Sequence, residues 1–390
     1  MPQCLARLCF YFVIGALVVP GAASSEAIFD PWQITMGSCL HASSRPWVGL
    51  SAMVARRPDA VLLLGDTVYA DYDAHSGKWE RPGSAANMSE AELVSRLDNA
   101  WELTTSEPHF ASLLSSNIPV YAVWDDHEFV NNYDAGVETA LYRIGRSAFD
   151  RKLLPSLANP KGQSGSYFNV SFPRADLFFL DTRSYRDPLP SRAHGKDTGA
   201  CGVSMLGMEQ KRTFRRWLAD VSPRKWAVVV SSGMLNDYPG DEEFDMSGDC
   251  ANVDCSSDVW YRYKDERDEI VDMVAGATPN ALFLSGDSHY AGMFKLPSNT
   301  SNSVLEVSAS PLGAFSFLPP DSAVEAMNNG GDVVWIGSAV DMTRVFGEVE
   351  ISHDMALTAR IFSVDAGGEA RQLFSHTQQF TDAPSKVAQG

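Results

Sequence analysis

Basic residues are scarce in this chain. Thirty-one Lys and Arg stand against 49 Asp and Glu among 390 residues, a formal charge of −18. A surface so negative disfavours nucleic acid, whose phosphate backbone is bound by basic patches. A small anionic substrate stays compatible, because a metal cluster reverses the field inside one cleft. Long apolar runs are also lacking. Only Leu8–Val19 approaches one, behind Arg7 and ahead of Gly21-Ala22-Ala23. It is short for a membrane span and reads as a secretory signal peptide over residues 1–24. No later segment would cross a bilayer, so no transmembrane anchor is expected, and the C-terminal residues are not a lipid-anchor signal. The expected location is extracellular, or periplasmic or cell-surface in a bacterium.

Cysteine is sparse, at six residues. Cys4 and Cys9 would leave with the leader. Cys39, Cys201, Cys250 and Cys255 remain, and an oxidising compartment favours pairing among them. Sequons at Asn87, Asn169 and Asn299 suit a secreted glycoprotein. There is no internal repeat and no low-complexity linker. With 45% hydrophobic and 21% charged residues, the remainder reads as a folded globular domain over residues 28–385.

What is present is a recurring pattern: a short apolar run that ends on acidic or polar residues. Ala60–Leu64 runs into Gly65-Asp66, and Val120–Trp124 into Asp125-Asp126-His127-Glu128. Leu177–Leu180 runs into Asp181-Thr182-Arg183, Trp226–Val230 into Ser231-Ser232, and Ala281–Leu284 into Gly286-Asp287-Ser288-His289. Runs of this length without helical period predict strands buried on both faces. Their polar ends then lie where open α/β sheets bind ligands. A helix is expected after Ser89, with Glu92 completing a capping box, and another over about 208–218. From Val304 onward strands predominate, which suggests a second sheet packed on the first. The expected class is α/β, a layered sandwich.

Each strand-end cluster alone has a structural explanation. A Gly-Asp after a strand makes a turn, a cysteine fills core, and Asp-His caps a helix. Asp181 with Arg183 would serve equally as an ion pair. Their co-occurrence argues otherwise. Asp66, Asp126 and Asp287 packed together would repel unless cations offset them. The donors divide into two sets. Cys39, Asp66, Tyr69 and His289 suit a transition metal such as Fe³⁺, with zinc as the alternative. Asp126 and Asp287, sharing Asp66, form an oxygen-only set suited to Ca²⁺ or Mg²⁺.

These motifs together (Gly-Ser-Cys, Gly-Asp-x-x-Tyr-x-Asp, Trp-Asp-Asp-His-Glu, Leu-Asp-Thr-Arg-Ser-Tyr-Arg and Ser-Gly-Asp-x-His) resemble the alkaline phosphatase D, or PhoD-like, family of metallophosphoesterases. The resemblance covers nearly the whole mature chain. It implies a four-layer αββα sandwich like that of the purple acid phosphatases, and an iron–calcium centre that hydrolyses phosphate monoesters and diesters. Iron would sit on Cys39, Asp66, Tyr69 and His289, and calcium on Asp66, Asp126 and Asp287. His127 would neutralise the phosphate or protonate the leaving group. Independently of the resemblance, guanidinium geometry suits Arg183 or Arg186 to a non-bridging oxygen. Family members often carry a β-sandwich domain before Gly-Ser-Cys, and about a dozen mature residues here leave no room for it. His41 stands where a polar amide is expected and reads as a surface histidine rather than a substrate contact. The superfamily's additional metal histidine has no clear match near Ser231-Ser232, where Asn236 or Asp237 would be the substitute. Two further readings stand beside it. One is a phosphodiesterase acting on lipid or nucleotide diesters. The other is a secreted metal-binding protein without turnover, against which His127 and Arg183 count. No protein partner is implied.

Overall fold

The computed structural model describes residues 31–73, 76–79, 88–133, 136–160, 167–187, 203–236, 260–316, 333–337 and 344–382. The proposed leader, Asn87, Asp237 and the cysteines at 201, 250 and 255 lie outside them. The first half of the chain runs β1 (Trp32–Gly37), α1 (Val48–Ala55), β2 (Ala60–Leu64), β3 (Tyr72–Asp73), β4 (Lys78–Trp79), α2 (Glu90–Thr105), α3 (Pro108–Leu114), β5 (Val120–Val123) and α4 (Ala140–Lys152). There follow β6 (Phe168–Ser171), β7 (Ala175–Phe179), α5 (Gly207–Asp220), β8 (Trp226–Val230), α6 (Lys264–Ala277), β9 (Ala281–Ser285) and β10 (Gly292–Leu296). The last strands are β11 (Val304–Ser308), β12 (Val333–Ile336), β13 (Val345–Ile351), β14 (Leu357–Val364) and β15 (Ala370–Gln378).

The apolar runs become buried strands because side chains alternate between two apolar faces. Leu62 and Leu64 pack with Val228, Val230, Leu282 and Leu284 in a core between two sheets. Their neighbours Val61 and Leu63 point the other way, against Leu97, Trp101 and Phe110. On the opposite sheet Val229 and Phe283 meet Phe214, Trp217 and Ile270. Three cores thus separate four layers: helices, sheet, sheet, helices. The helix after Ser89 forms with the expected capping box, and α5 matches the expected segment within two residues at either end.

One expectation needs correction. The late strands do not make a second sheet. The first sheet has the order β15-β14-β13-β1-β2-β5, and the second β12-β10-β11-β9-β8-β7-β6. The late strands extend both. β13 pairs antiparallel with β1, Ile34 opposite Val349, while β11 pairs parallel with β9. Both sheets contain a parallel block, β1-β2-β5 at one edge of the first and β7-β8-β9-β11 within the second. Parallel strands end on the same edge, so the polar clusters that follow them collect at one rim.

Candidate metal centre and active site

The rim is built from strained turns. Cys39, Asp66, Asp287 and His289 all adopt positive φ, between 52° and 63°. Non-glycine residues in this region cost about 1–3 kcal/mol each and collect at functional sites. Glycines make the approach possible. Gly65 has φ 95°, and a Cβ there would lie 2.6 Å from the Asp125 Cβ. A Cβ on Gly286 would lie 2.5 Å from the Ser38 Oγ and 3.2 Å from the Leu64 Cβ. Hydrogen bonds then tie the loops together across the two sheets. The Leu40 N–H donates to the Asp66 carbonyl at 2.9 Å, and the Asp287 N–H to the Ser38 Oγ at 3.0 Å. The Glu128 carboxylate accepts from three backbone N–H groups, those of Asp66 (3.2 Å), Thr67 (2.7 Å) and Asp125 (2.8 Å). It pins the β2 turn to the β5 turn.

Side chains distant in sequence converge there. Ligand atoms of Cys39, Asp66 and His289 lie within 4.8 Å of one another. The Tyr69 hydroxyl donates to the Asp66 Oδ2 at 3.1 Å and lies 3.1 Å from the His289 Nε2. The Cys39 Sγ is 3.6 Å from the Asp66 Oδ2 and accepts from the Ser310 hydroxyl at 3.2 Å. Cys39 is a free thiol. Burial, and then the charge of Asp287, push it up to about 12. Burial, with Cys39 and Asp66 adding, likewise pushes Tyr69 well above its ordinary value. Burial raises Asp66 as well; His127 opposes the rise, while Asp126 and Cys39 add to it. Such crowding of acids is relieved either by protons or by a cation.

A second group adjoins the first. Oxygens of Asp125, Asp126 and Asp287 lie within 4.8 Å of one another, and Asp126 also groups with Asp66 and His127. Among the described residues the Asp125 Oδ2 and Asp126 Oδ1 are buried with no hydrogen-bond partner. Unsatisfied buried carboxylate oxygens are costly and are the atoms a cation would engage. Burial works against the charge of Asp126, yet Arg183 and His127 hold it below the usual carboxylate range. Asp125 lies within Trp-Asp-Asp-His-Glu, but the sequence pattern assigns it no role.

His127 sits between these groups with its ring stacked on Tyr69, centroids 4.1 Å apart. Its Nδ1 lies 2.8 and 3.0 Å from the two oxygens of Asp71. Burial opposes its charge, but Asp71, Asp126 and Asp66 together hold it well above the ordinary histidine value. Asp71 also lacked an assigned role in the sequence. Its place in Gly-Asp-x-x-Tyr-x-Asp, five residues after Asp66, was the available signal.

Other candidates surround these groups. Arg183 is fully buried. Its Nε donates to Asp125 Oδ1, and its Nη2 is 3.6 Å from Asp126 Oδ1, the ion-pair geometry weighed beside a substrate contact. Arg186 donates to the Thr182 carbonyl at 2.7 Å and lies over the Tyr263 ring. Ser232 donates to Asp125 at 2.8 Å, and the Asn236 N–H donates to Glu306 at 2.8 Å. His41 is not a surface histidine: it is 3% exposed, enclosed by the rings of Tyr69 and Tyr72 at 4.7 and 4.3 Å. Asn169 and Asn299 are exposed. Among the described residues no helix is long and apolar enough to cross a membrane.

Comparison with known proteins agrees with this fold. A solved structure of PhoD superposes with a TM-score of 0.67 at 17% identity, covering 93% of this chain and 72% of that one. Purple acid phosphatase PPD1 from yellow lupin (Lupinus luteus) seeds gives a TM-score of 0.54 at 12% identity, over 90% of this chain and 54% of that one. At these identities the likeness concerns the fold. No curated protein matches the chain in sequence. The model of the PhoD-like phosphatase family matches residues 34–358, a span that holds every strand-end cluster of the rim. The chain therefore belongs to the PhoD-like phosphatases and is a metal-dependent phosphoric ester hydrolase.

Proposed function

We propose that the chain is a secreted phosphatase acting on phosphate monoesters and diesters, with two cations at the rim. Cys39, Asp66, Tyr69 and His289 would hold the first, and their thiolate, phenolate and imidazole donors fit iron better than zinc. Asp66, Asp126 and Asp287, joined by Asp125, would hold the second; an all-oxygen set fits calcium or magnesium. One observation carries this reading: three Cys, Asp and His side chains up to 250 positions apart place their ligand atoms within 4.8 Å of one another. Bound cations would supply charge to the phosphoryl oxygens and ease deprotonation of the attacking water.

The protein's own groups complete the chemistry. Asp71 accepts from the His127 Nδ1–H and so turns Nε2 outward as the proton donor to the departing alkoxide. Asp71, which would bind neither cation, favours the protonated ring needed for that purpose. Arg183 would act as a positioning residue, fixing Asp125 and Asp126 rather than reaching for substrate. The proton balance is closed: one proton leaves His127 for the leaving oxygen, and one is returned from the water consumed.

The test is metal analysis of purified protein beside assays with nitrophenyl phosphate and its bis-ester. Iron and calcium near one each per chain, a visible phenolate–iron absorption band, and activity lost to a chelator are expected. Full turnover in rigorously metal-free protein would end this reading.

A further inference from the structure

Beside the proposed metal centre stands a wall of rings that the hydrolytic chemistry does not use. Trp79 and Phe315 are large apolar side chains left 44% and 48% exposed. Single exposed hydrophobics are ordinary, but these two adjoin one site. The Trp79 ring centroid is 5.7 Å from that of His127, and the Phe315 centroid is 5.0 Å from that of His289. Both contact the His41 ring, at 4.9 and 6.4 Å, and Tyr72 closes the group at 5.2 Å from Trp79. Neither Trp79 nor Phe315 belongs to one of the strand-end motifs, so the sequence assigns them no role.

His41 adds a polar point to this wall. Its Nδ1 accepts from the Ser43 N–H at 3.2 Å, so the ring proton is on Nε2. That Nε2 is buried and has no hydrogen-bond partner among the described residues. A buried donor without an acceptor is unfavourable until a ligand supplies one. Exposed ring faces next to the proton donor, with one unsatisfied N–H behind them, describe a subsite for a flat group that itself carries acceptors.

We infer that His41, Tyr72, Trp79 and Phe315 form the leaving-group subsite, and that the substrates it selects are phosphate esters whose alcohol portion bears a planar aromatic ring. This rests on the phosphoesterase reading above. An aryl alcohol and a nucleoside share the required chemistry. The alcohol portion belongs on this side because His127, the proton donor to the leaving oxygen, borders Trp79.

Two measurements test it. The first compares wild type with Trp79→Ala for kcat/KM on phenyl phosphate, a nucleoside 5′-monophosphate and glycerol phosphate. Aryl esters are intrinsically more reactive, but that difference cancels when each ratio is compared between the two proteins. Stacking of one ring on an aromatic side chain is worth roughly ten-fold or more. The ring-to-glycerol preference should therefore fall about ten-fold in the variant, mainly through KM, for the nucleoside, the phenyl ester or both. An unchanged preference for both ring esters overturns the inference. The second measurement does not require turnover. Equilibrium binding of phenylphosphonate and methylphosphonate to the metal-loaded protein should favour the phenyl compound about ten-fold in wild type and show no such preference in Trp79→Ala. Equal binding of the two by wild type overturns the inference even if hydrolysis is normal, whereas absent turnover with intact phenyl preference faults only the proposed activity. Trp79 is exposed on a two-residue strand, so its removal leaves the three cores intact.

Discussion

Asp66 is the residue on which the rim depends most heavily. Its Oδ2 faces Cys39 and Tyr69, its Oδ1 accepts from the His127 N–H at 3.4 Å, and its left-handed backbone is held by Glu128. Asp66→Ala should lose both proposed cations, and kcat/KM should fall more than about 100-fold, since even outer partners of a metal cost 10–100-fold. Elemental analysis and phosphate release check this together; retained metal would refute the shared role. Asp71 is different, because it touches His127 and no proposed cation. Asp71→Asn should lower kcat about 10–100-fold while KM and metal content stay near wild type. A change confined to KM, or a loss of metal, would contradict the positioning role.

At the scale of elements, the turns after strands matter more than the strands. The β2 turn needs Gly65 because its φ of 95° and the Asp125 Cβ 2.6 Å away exclude a side chain. Gly65→Ala should destabilise the fold by about 1–3 kcal/mol, seen as a lower Tm, and should reduce activity by displacing Asp125. Ser89→Ala makes a useful contrast. It removes one half of the α2 capping box, the Ser89 hydroxyl accepting from the Glu92 N–H at 3.3 Å, and should cost about 1 kcal/mol. Activity at a temperature well below the Tm should not change, because Ser89 lies at the exposed N-terminus of α2 and, among the described residues, its side chain bonds only Glu92, not a rim residue. Equal loss of activity in the two variants would mean that the turn has no special part in the site.

For the whole molecule, the second sheet carries a buried acid that links stability to pH. Glu306 lies on β11 with no exposed surface, and its carboxylate accepts from the Leu235 N–H at 2.7 Å and the Asn236 N–H at 2.8 Å. Burial nevertheless pushes it up from 4.5 to about 7. The folded state therefore binds this proton more tightly than the unfolded chain does. Its contribution is fully present below pH 4.5 and is lost as pH rises through about 7. A shift of this size corresponds to about 3 kcal/mol as an upper bound. Denaturant unfolding between pH 4.5 and 8 should show this fall superposed on other titrations, and Glu306→Gln should flatten it. An identical pH dependence in that variant would remove Glu306 as its source.

The positions of the central strands along the chain and a list of candidate donors were legible from the chain alone. An apolar run such as Ala60–Leu64 is doubly buried wherever it lands, and glycine followed by aspartate at its end forms a turn by local sterics. Cys39, Asp66, Tyr69, Asp126, Asp287 and His289 could be named as candidates because they recur together at strand ends, where the acids would repel unless cations offset them. Tertiary structure alone decided the partners. It placed β13 beside β1 rather than in a separate sheet, enclosed His41 in rings, fastened Arg183 to Asp125 and brought Asp71 to His127. Those outcomes depend on the free energy of contacts between segments tens to hundreds of residues apart, and no local pattern of side chains encodes which distant surface will be nearest.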